Sequence, residues 1–119
     1  MAEADNSKDE TYWRSALQVI AMSIQKNIPF RSAKWLQAVR ELECCVLCGA
    51  YGVQAAHRNE GKGAGMKTSD CLTAALCPEC HSEIDQGKHM DRNERRATMN
   101  AAIVLTVEQL VKAGKLVIT

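Results

Sequence analysis

The feature that most constrains this chain is a pair of CxxC turns, Cys45-Val46-Leu47-Cys48 and Cys77-Pro78-Glu79-Cys80, separated by 28 residues. Each turn puts two sulfurs on one side of a tight knuckle, and two knuckles together close a tetrahedral zinc site. With thiolate in every position the zinc has no place for substrate, so it is structural, and removing it unfolds what it clasps. A gap of 28 residues is longer than a simple zinc ribbon needs, so the metal must span a folded insert. Cys44 also forms a conceivable pair with Cys48, but the CxxC turn makes Cys45 the better ligand. Cys71, in an apolar run, reads as a buried core thiol.

The paired spacing favours reduced thiols on a metal over disulfides. A thioredoxin-like reading of Cys77 and Cys80, at the start of a helix after a strand, leaves the first pair unexplained. The N-terminus is acidic and lacks a basic-then-apolar leader pattern, and no stretch approaches the roughly 20 apolar residues of a membrane span. The expected location is the cytoplasm, with no membrane partner.

At 119 residues the chain is one domain with a modest core helped by its metal staple. Only five residues are Phe, Trp or Tyr, so that core is mostly aliphatic. The net charge of +1 divides into −3 over residues 1–10 and +4 over the rest, a mildly basic balance compatible with nucleic acid.

Residues 1–10 read as a flexible acidic tail and 11–119 as the domain, with a helical part to 43, a zinc-centred core over 44–88 and a C-terminal helix from 89 on. Trp13, Ala16, Leu17, Ile20, Ala21 and Ile24 recur at helical steps, and that helix stops near Asn27, ahead of Pro29. Ser32 can cap a second helix that buries Trp35, Leu36 and Val39 and leaves Arg31, Lys34 and Arg40 wet. Val53 to Ala56 forms a strand ending at His57, and Cys71 to Leu76 a second one. Pro78 then opens a helix carrying Cys80, His81, Ile84 and Asp85. Asp91 and Glu94 start a long helix whose inner face holds Met99, Ala102, Ile103, Val107, Leu110 and Val111, up to Gly114. Leu116 to Ile118 is expected to add a terminal strand.

His81 and Asp85 are four apart on a helix and share a face, which gives half of a divalent-metal site with places left for water and phosphate oxygens. The plainer reading is a surface His-Asp pair. His57, at a strand end, is either a general base that takes a proton from water near neutral pH or a structural histidine. Asp70 either orients His57 or, with Thr68 and Ser69, only forms a turn. His89 lies beyond these elements as an exposed loop residue. Arg58, Lys62 and Lys67 flank or occupy the glycine-rich stretch Gly61-Lys62-Gly63-Ala64-Gly65-Met66-Lys67, where they can reach phosphates; a solvated loop is the alternative.

A knuckle, a strand ending in histidine, a loop, a second strand and a helix beginning CxxCH resemble the HNH endonucleases and their ββα-metal fold. Phe30-Arg31-Ser32, Ala55-Ala56-His57, the glycine-lysine loop and Cys77 through Gly87 are similar to small phage- and prophage-encoded nucleases of that superfamily. The resemblance covers about residues 30–90. It implies an α+β, zinc-stapled ββα-metal, treble-clef-like core with N-terminal helices and a long C-terminal helix. It further implies a hydrolase that cuts DNA, with a structural Zn²⁺ on Cys45, Cys48, Cys77 and Cys80.

On the same resemblance His57 is the general base, His81 and Asp85 hold a catalytic Mg²⁺, Mn²⁺ or Ni²⁺, and Asp70 or Ser69 falls near the family's central asparagine. DNA is then the partner, beside recombination or phage proteins in a bacterial host. Ala56 departs from the pattern, since many relatives carry a metal ligand there. Either the ion rests on His81, Asp85 and water, or His57 itself coordinates it. The competing function is a catalytically silent zinc module that binds DNA or protein.

Overall fold

The structure, a computed structural model, describes residues 28–59 and 68–119. The expected acidic tail, the helix ending near Asn27, Lys62 and Lys67 lie outside the described residues. Chain order is helix α1 (Ala33–Arg40), strands β1 (Gln54–His57) and β2 (Thr73–Leu76), and helices α2 (Pro78–Gln86) and α3 (Arg92–Lys112). This is an α+β arrangement around a two-stranded antiparallel sheet, with Gln54 opposite Leu76 and His57 opposite Thr73.

The helices begin where their caps dictate. The Ser32 hydroxyl accepts the Trp35 N–H, which satisfies one of the orphan donors of α1. Cys77 caps α2 through its sulfur, with Pro78 at the first helical position, where a missing N–H costs nothing. Asp91 and Glu94 form a reciprocal capping box at the start of α3. At its far end Gly114 adopts a φ of +74°, and Lys115 and Leu116 turn back to donate to the Leu110 carbonyl.

The sheet separates two apolar clusters. On one face Ala56, Ala74 and Leu76 pack with Cys45, Cys77, Ile84, Met99, Ala102 and Ile103. On the other, Ala75 joins Val39 and Leu110, with Trp35, Ala55 and Leu116 around them. Leu76 and Leu110 are closed off almost completely, each stabilising the fold by about 1.5–3 kcal/mol through burial. The small alanines let the helices sit close on so short a sheet.

Among the described residues β2 has one strand neighbour, so its outer edge needs other partners. Ala75 N–H donates to the Thr106 hydroxyl of α3 (3.0 Å), and Val46 N–H donates to the Ala75 carbonyl (3.0 Å). The edge is thereby closed by α3 and by the first CxxC turn.

Three sequence expectations are corrected. Residues 116–118 form no strand, because Leu116 folds back onto the Leu110 cluster and leaves Val117 and Ile118 exposed without a sheet edge to join. Cys71 is half-buried in a turn, since Leu72 N–H bonds Ser69 and the Thr73 hydroxyl bonds the Asp70 carbonyl before β2 starts. On α3 the inward position goes to Thr106, while Val107 and Val111 face out. Arg31 precedes α1 and stays exposed as expected, while its guanidinium donates to the Thr68 carbonyl and Asp70.

Candidate metal centre and histidine pairs

The first CxxC turn is built by a short backbone network. Cys45 N–H donates to the Ala50 carbonyl (2.8 Å), Gly49 N–H returns to Cys45 (2.8 Å), and Cys44 bridges Tyr51. Gly49 and Gly52 take φ values of +78° and +94°, a region that side chains resist. The second pair rides on the start of α2, where the cap fixes the Cys77 sulfur near the Cys80 N–H.

These elements bring the sulfurs of Cys45, Cys48, Cys77 and Cys80 within 4.8 Å of one another, with Cys48 and Cys77 at 3.6 Å. A tetrahedral zinc with Zn–S bonds of about 2.3 Å has sulfur–sulfur edges of about 3.8 Å, so the set has the size the ion requires. Cys44 is exposed and outside it. Burial pushes the Cys45 thiol up, but hydrogen bonds from the backbone at Cys77, Cys48 and Leu47, together with the Cys48 thiol, bring it down to about 6. Burial and the neighbouring sulfurs raise Cys80. For Cys48, backbone bonding at Ala50 lowers the thiol, yet the sulfurs of Cys77 and Cys45 leave it raised. Four thiols this close cannot all ionise without a cation among them. The arrangement can hold a metal ion and is compatible with a structural zinc. Among the described residues no other group of three or more His, Cys, Asp or Glu ligands converges in this way.

His57 and Asp70 meet at the far end of the sheet. The His57 Nε2–H donates to Asp70 Oδ1 at 2.8 Å, which leaves Nδ1 as the lone-pair nitrogen. The Asp70 side chain is 8% exposed and also receives Ser32 N–H (2.8 Å) and Arg31 Nη1 (3.2 Å). Burial raises its carboxyl, but hydrogen bonds from His57, Ser32 and Arg31 outweigh that and hold it below the usual carboxylate value. Asp70 N–H donates to the Phe30 carbonyl and Ser69 Oγ accepts the Phe30 N–H, so the segment entering α1 is strapped to the turn before β2. Arg31 and Ser32 are the partners that sequence reasoning missed. Ser32 was marked as a helix cap and both lie in the Phe30-Arg31-Ser32 stretch, but neither signal points to Asp70, a contact that spans nearly forty residues.

His81 and Asp85 form a second pair on α2. His81 Nδ1 lies 2.7 Å from Gln54 Oε1 and its Nε2 3.1 Å from Asp85 Oδ2. The other carboxylate oxygen accepts from Asn59 Nδ2 (2.8 Å). A protonated imidazole donates to both partners and pairs with Asp85, whereas a neutral one with its proton on Nδ1 turns a lone pair toward the carboxylate, where a cation can bridge the two. Two cis ligands of an octahedral Mg²⁺-like ion, each at about 2.1 Å, lie about 3.0 Å apart.

Strand alternation separates these two pairs. Gln54 and Ala56 project toward α2, whereas Ala55 and His57 belong to the other face. His57 does not join His81 and Asp85 in one ligand cluster. The link between them is covalent and short: Asn59, two residues past His57, holds Asp85. Ala56 is fully buried between them. Arg58 lines a cleft beside Asp85 that also includes Arg92, Arg95 and Arg96 of α3, none of which the sequence reading singled out. Among the described residues no helix is long and apolar enough to cross a membrane.

No family model, curated protein or solved structure matches the chain.

Proposed function

We propose that this protein is a metal-dependent DNA endonuclease of the HNH type, with the cysteine site holding structural zinc and the hydrolytic site spread over β1 and α2. The observation that carries the reading is the His81–Asp85 pair, whose Nε2 and Oδ2 stand 3.1 Å apart, a spacing that suits adjacent positions on one divalent ion. Gln54 and Asn59 fix the orientation of both ligands through their outer atoms, as partners of metal ligands do. The order knuckle, strand, strand, helix supports the ββα-metal assignment of the core.

In this mechanism Asp70 holds His57 in one tautomer and leaves Nδ1 to accept a proton from the attacking water. Asp70 also stabilises the imidazolium that forms, helped by hydrogen bonds that hold its carboxyl below the usual value and so keep it ionised. His81 and Asp85 supply one nitrogen and one oxygen, which suits an ion that keeps several waters and takes phosphate oxygens. Such an ion, when bound, polarises the phosphate and stabilises the leaving oxygen. The half-exposed setting of His81 and Asp85, at 28% and 30%, leaves the pair open to a strand of DNA.

Nicking of supercoiled plasmid by zinc-loaded protein tests the reading, with Mg²⁺, Mn²⁺, Co²⁺ and Ni²⁺ supplied in turn. His57→Ala and Asp85→Asn are expected to lose at least a hundredfold in rate, the usual scale of a lost general base. No nicking by wild type with any ion refutes the enzyme reading. That among the described residues only the four cysteines converge favours the second reading, a silent zinc module. That module retains one zinc per chain and shows no cleavage.

A further inference from the structure

Helix α1 and the C-terminal end of α3 do not close fully on each other. Between them lies a cavity of about 150 Å³, with Ser32, Trp35 and Ala38 on one side and Leu110 and Leu116 on the other. Trp35, Ala38 and Leu116 are half-buried there. Phe30, which meets the Trp35 ring edge-on at 6.4 Å between centroids, is 49% exposed, and Ile28 is 81% exposed. The Trp35 Nε1–H is buried with no acceptor among the described residues. Native folds rarely leave a buried donor unmatched, so this apolar niche still needs a side chain to fill it and an acceptor.

The chain carries both just upstream. Trp13, Ala16, Leu17, Ile20, Ala21 and Ile24 recur at helical steps, with Arg14, Gln18 and Gln25 on the opposite side of the predicted helix. A helix of that pattern is stable only when its apolar stripe is buried against another element. Its last four carbonyls also need donors, since no intrahelical N–H reaches them. Pro29 disfavours helical backbone at Ile28, which leaves residues 28–32 as a short link to α1. Links of that length join antiparallel neighbours. From Ile28 to Ser32 the chain spans at most about 14 Å, and a helix of about 15 residues is about 22 Å long. The last turns of the segment are therefore within reach of the niche. The tether holds them there at an effective concentration on the order of millimolar, an advantage that a second copy lacks.

We infer that residues 11–27 dock as an amphipathic helix antiparallel to α1, with Ile20 and Ile24 turned into the cavity and a last-turn carbonyl accepting the Trp35 Nε1–H. Phe30 and Ser32 bond Ser69 and Asp70, and Asp70 holds His57, so the docked segment braces from outside the strap that positions this histidine. The docking is independent of the endonuclease reading.

The test is NMR on the full chain loaded with zinc, with the Trp35 ring and the Ile and Leu methyls assigned. Nuclear Overhauser contacts are expected between the Trp35 ring and methyls of Leu17, Ile20 or Ile24. An equimolar mixture of labelled and unlabelled chains, read with isotope filtering, separates contacts within a chain from contacts between chains. Contacts found only between chains assign the niche to a second copy and overturn the inference, as does the absence of any contact from residues 11–27 to Trp35. In parallel, Ile20→Asp/Ile24→Asp is expected to lower the melting temperature by roughly 10 °C or more. It should also speed hydrogen exchange at the Asp70 amide, which donates to the Phe30 carbonyl. Ile118→Asp, at a fully exposed position, is expected to stay close to wild type. A double variant that melts with wild type overturns the docking. Should the double variant fail to fold, the contacts in wild type decide the matter alone.

Discussion

Replacing Asp70 by alanine removes the junction of three separate elements. The carboxylate accepts from His57 at the end of β1, from Ser32 N–H at the start of α1, and from Arg31. Stranding the part-buried Ser32 N–H costs about 1–3 kcal/mol, and the lost bond to His57 adds about 1–2. Arg31, with a side chain 47% exposed, contributes at most about 1 kcal/mol because solvent screens it. The sum is about 2–6 kcal/mol, which lowers the melting temperature by roughly 10–30 °C in a domain of this size.

Urea unfolding of zinc-loaded wild type and Asp70→Ala across a pH series measures both the size and the origin of the effect. The folded carboxyl is depressed, so its stabilisation is complete above the ordinary carboxylate value of 3.8 and fades as pH falls through the lower folded value. The stability gap between wild type and variant is therefore widest near neutrality and shrinks below about pH 4. Acid also strips zinc from cysteine, but it does so in both proteins, and the difference isolates Asp70. A gap under about 1 kcal/mol at neutral pH, or one that stays constant through the acid range, refutes the claim that Asp70 is the charged clasp between α1 and the sheet.

Three further outcomes are expected. Stripping the metal with a chelator should abolish cooperative unfolding and release one zinc per chain by elemental analysis, and Cys77→Ser should likewise abolish cooperative unfolding because it removes one of the four sulfurs while a serine can still cap α2. Thr106→Val should cost about 1–3 kcal/mol and speed hydrogen exchange at the Ala75 amide, whose acceptor it deletes. Gly87→Ala should destabilise the turn between α2 and α3, seen as a lower urea midpoint, since an added Cβ would stand 2.3 Å from the Glu83 carbonyl oxygen.

Features set by neighbours in sequence were legible before any coordinates. The capping box of Asp91 and Glu94, the proline start of α2 and the CxxC turns each depend on a few adjacent residues, and each appears where expected. Thr106 was hidden because a threonine among valines reads as the polar side of a helix. Its hydroxyl is buried only because it donates to the Ala102 carbonyl and accepts from a strand that arrives thirty-one residues earlier. Arg31 was hidden for a similar reason, as its acceptors lie across the β1–β2 connection. The His57–Asp70 contact could be anticipated from residue chemistry. The separation of His57 from His81 could not, because it depends on which face of β1 receives α2.

The antiparallel pairing of β1 and β2 also determines where this protein is open to change. The connection leaves at His57 and returns at Asp70, beside the proposed chemistry, while its feet are anchored by the ladder, the His57–Asp70 bond and the strap to Phe30. Once two ends are pinned, lengthening the chain between them is cheap: each doubling costs only about 0.6 kcal/mol in closure entropy. The span between the feet can thus be exchanged or extended without rebuilding the scaffold. On the nuclease reading, it is the natural place for variants to acquire a new choice of target.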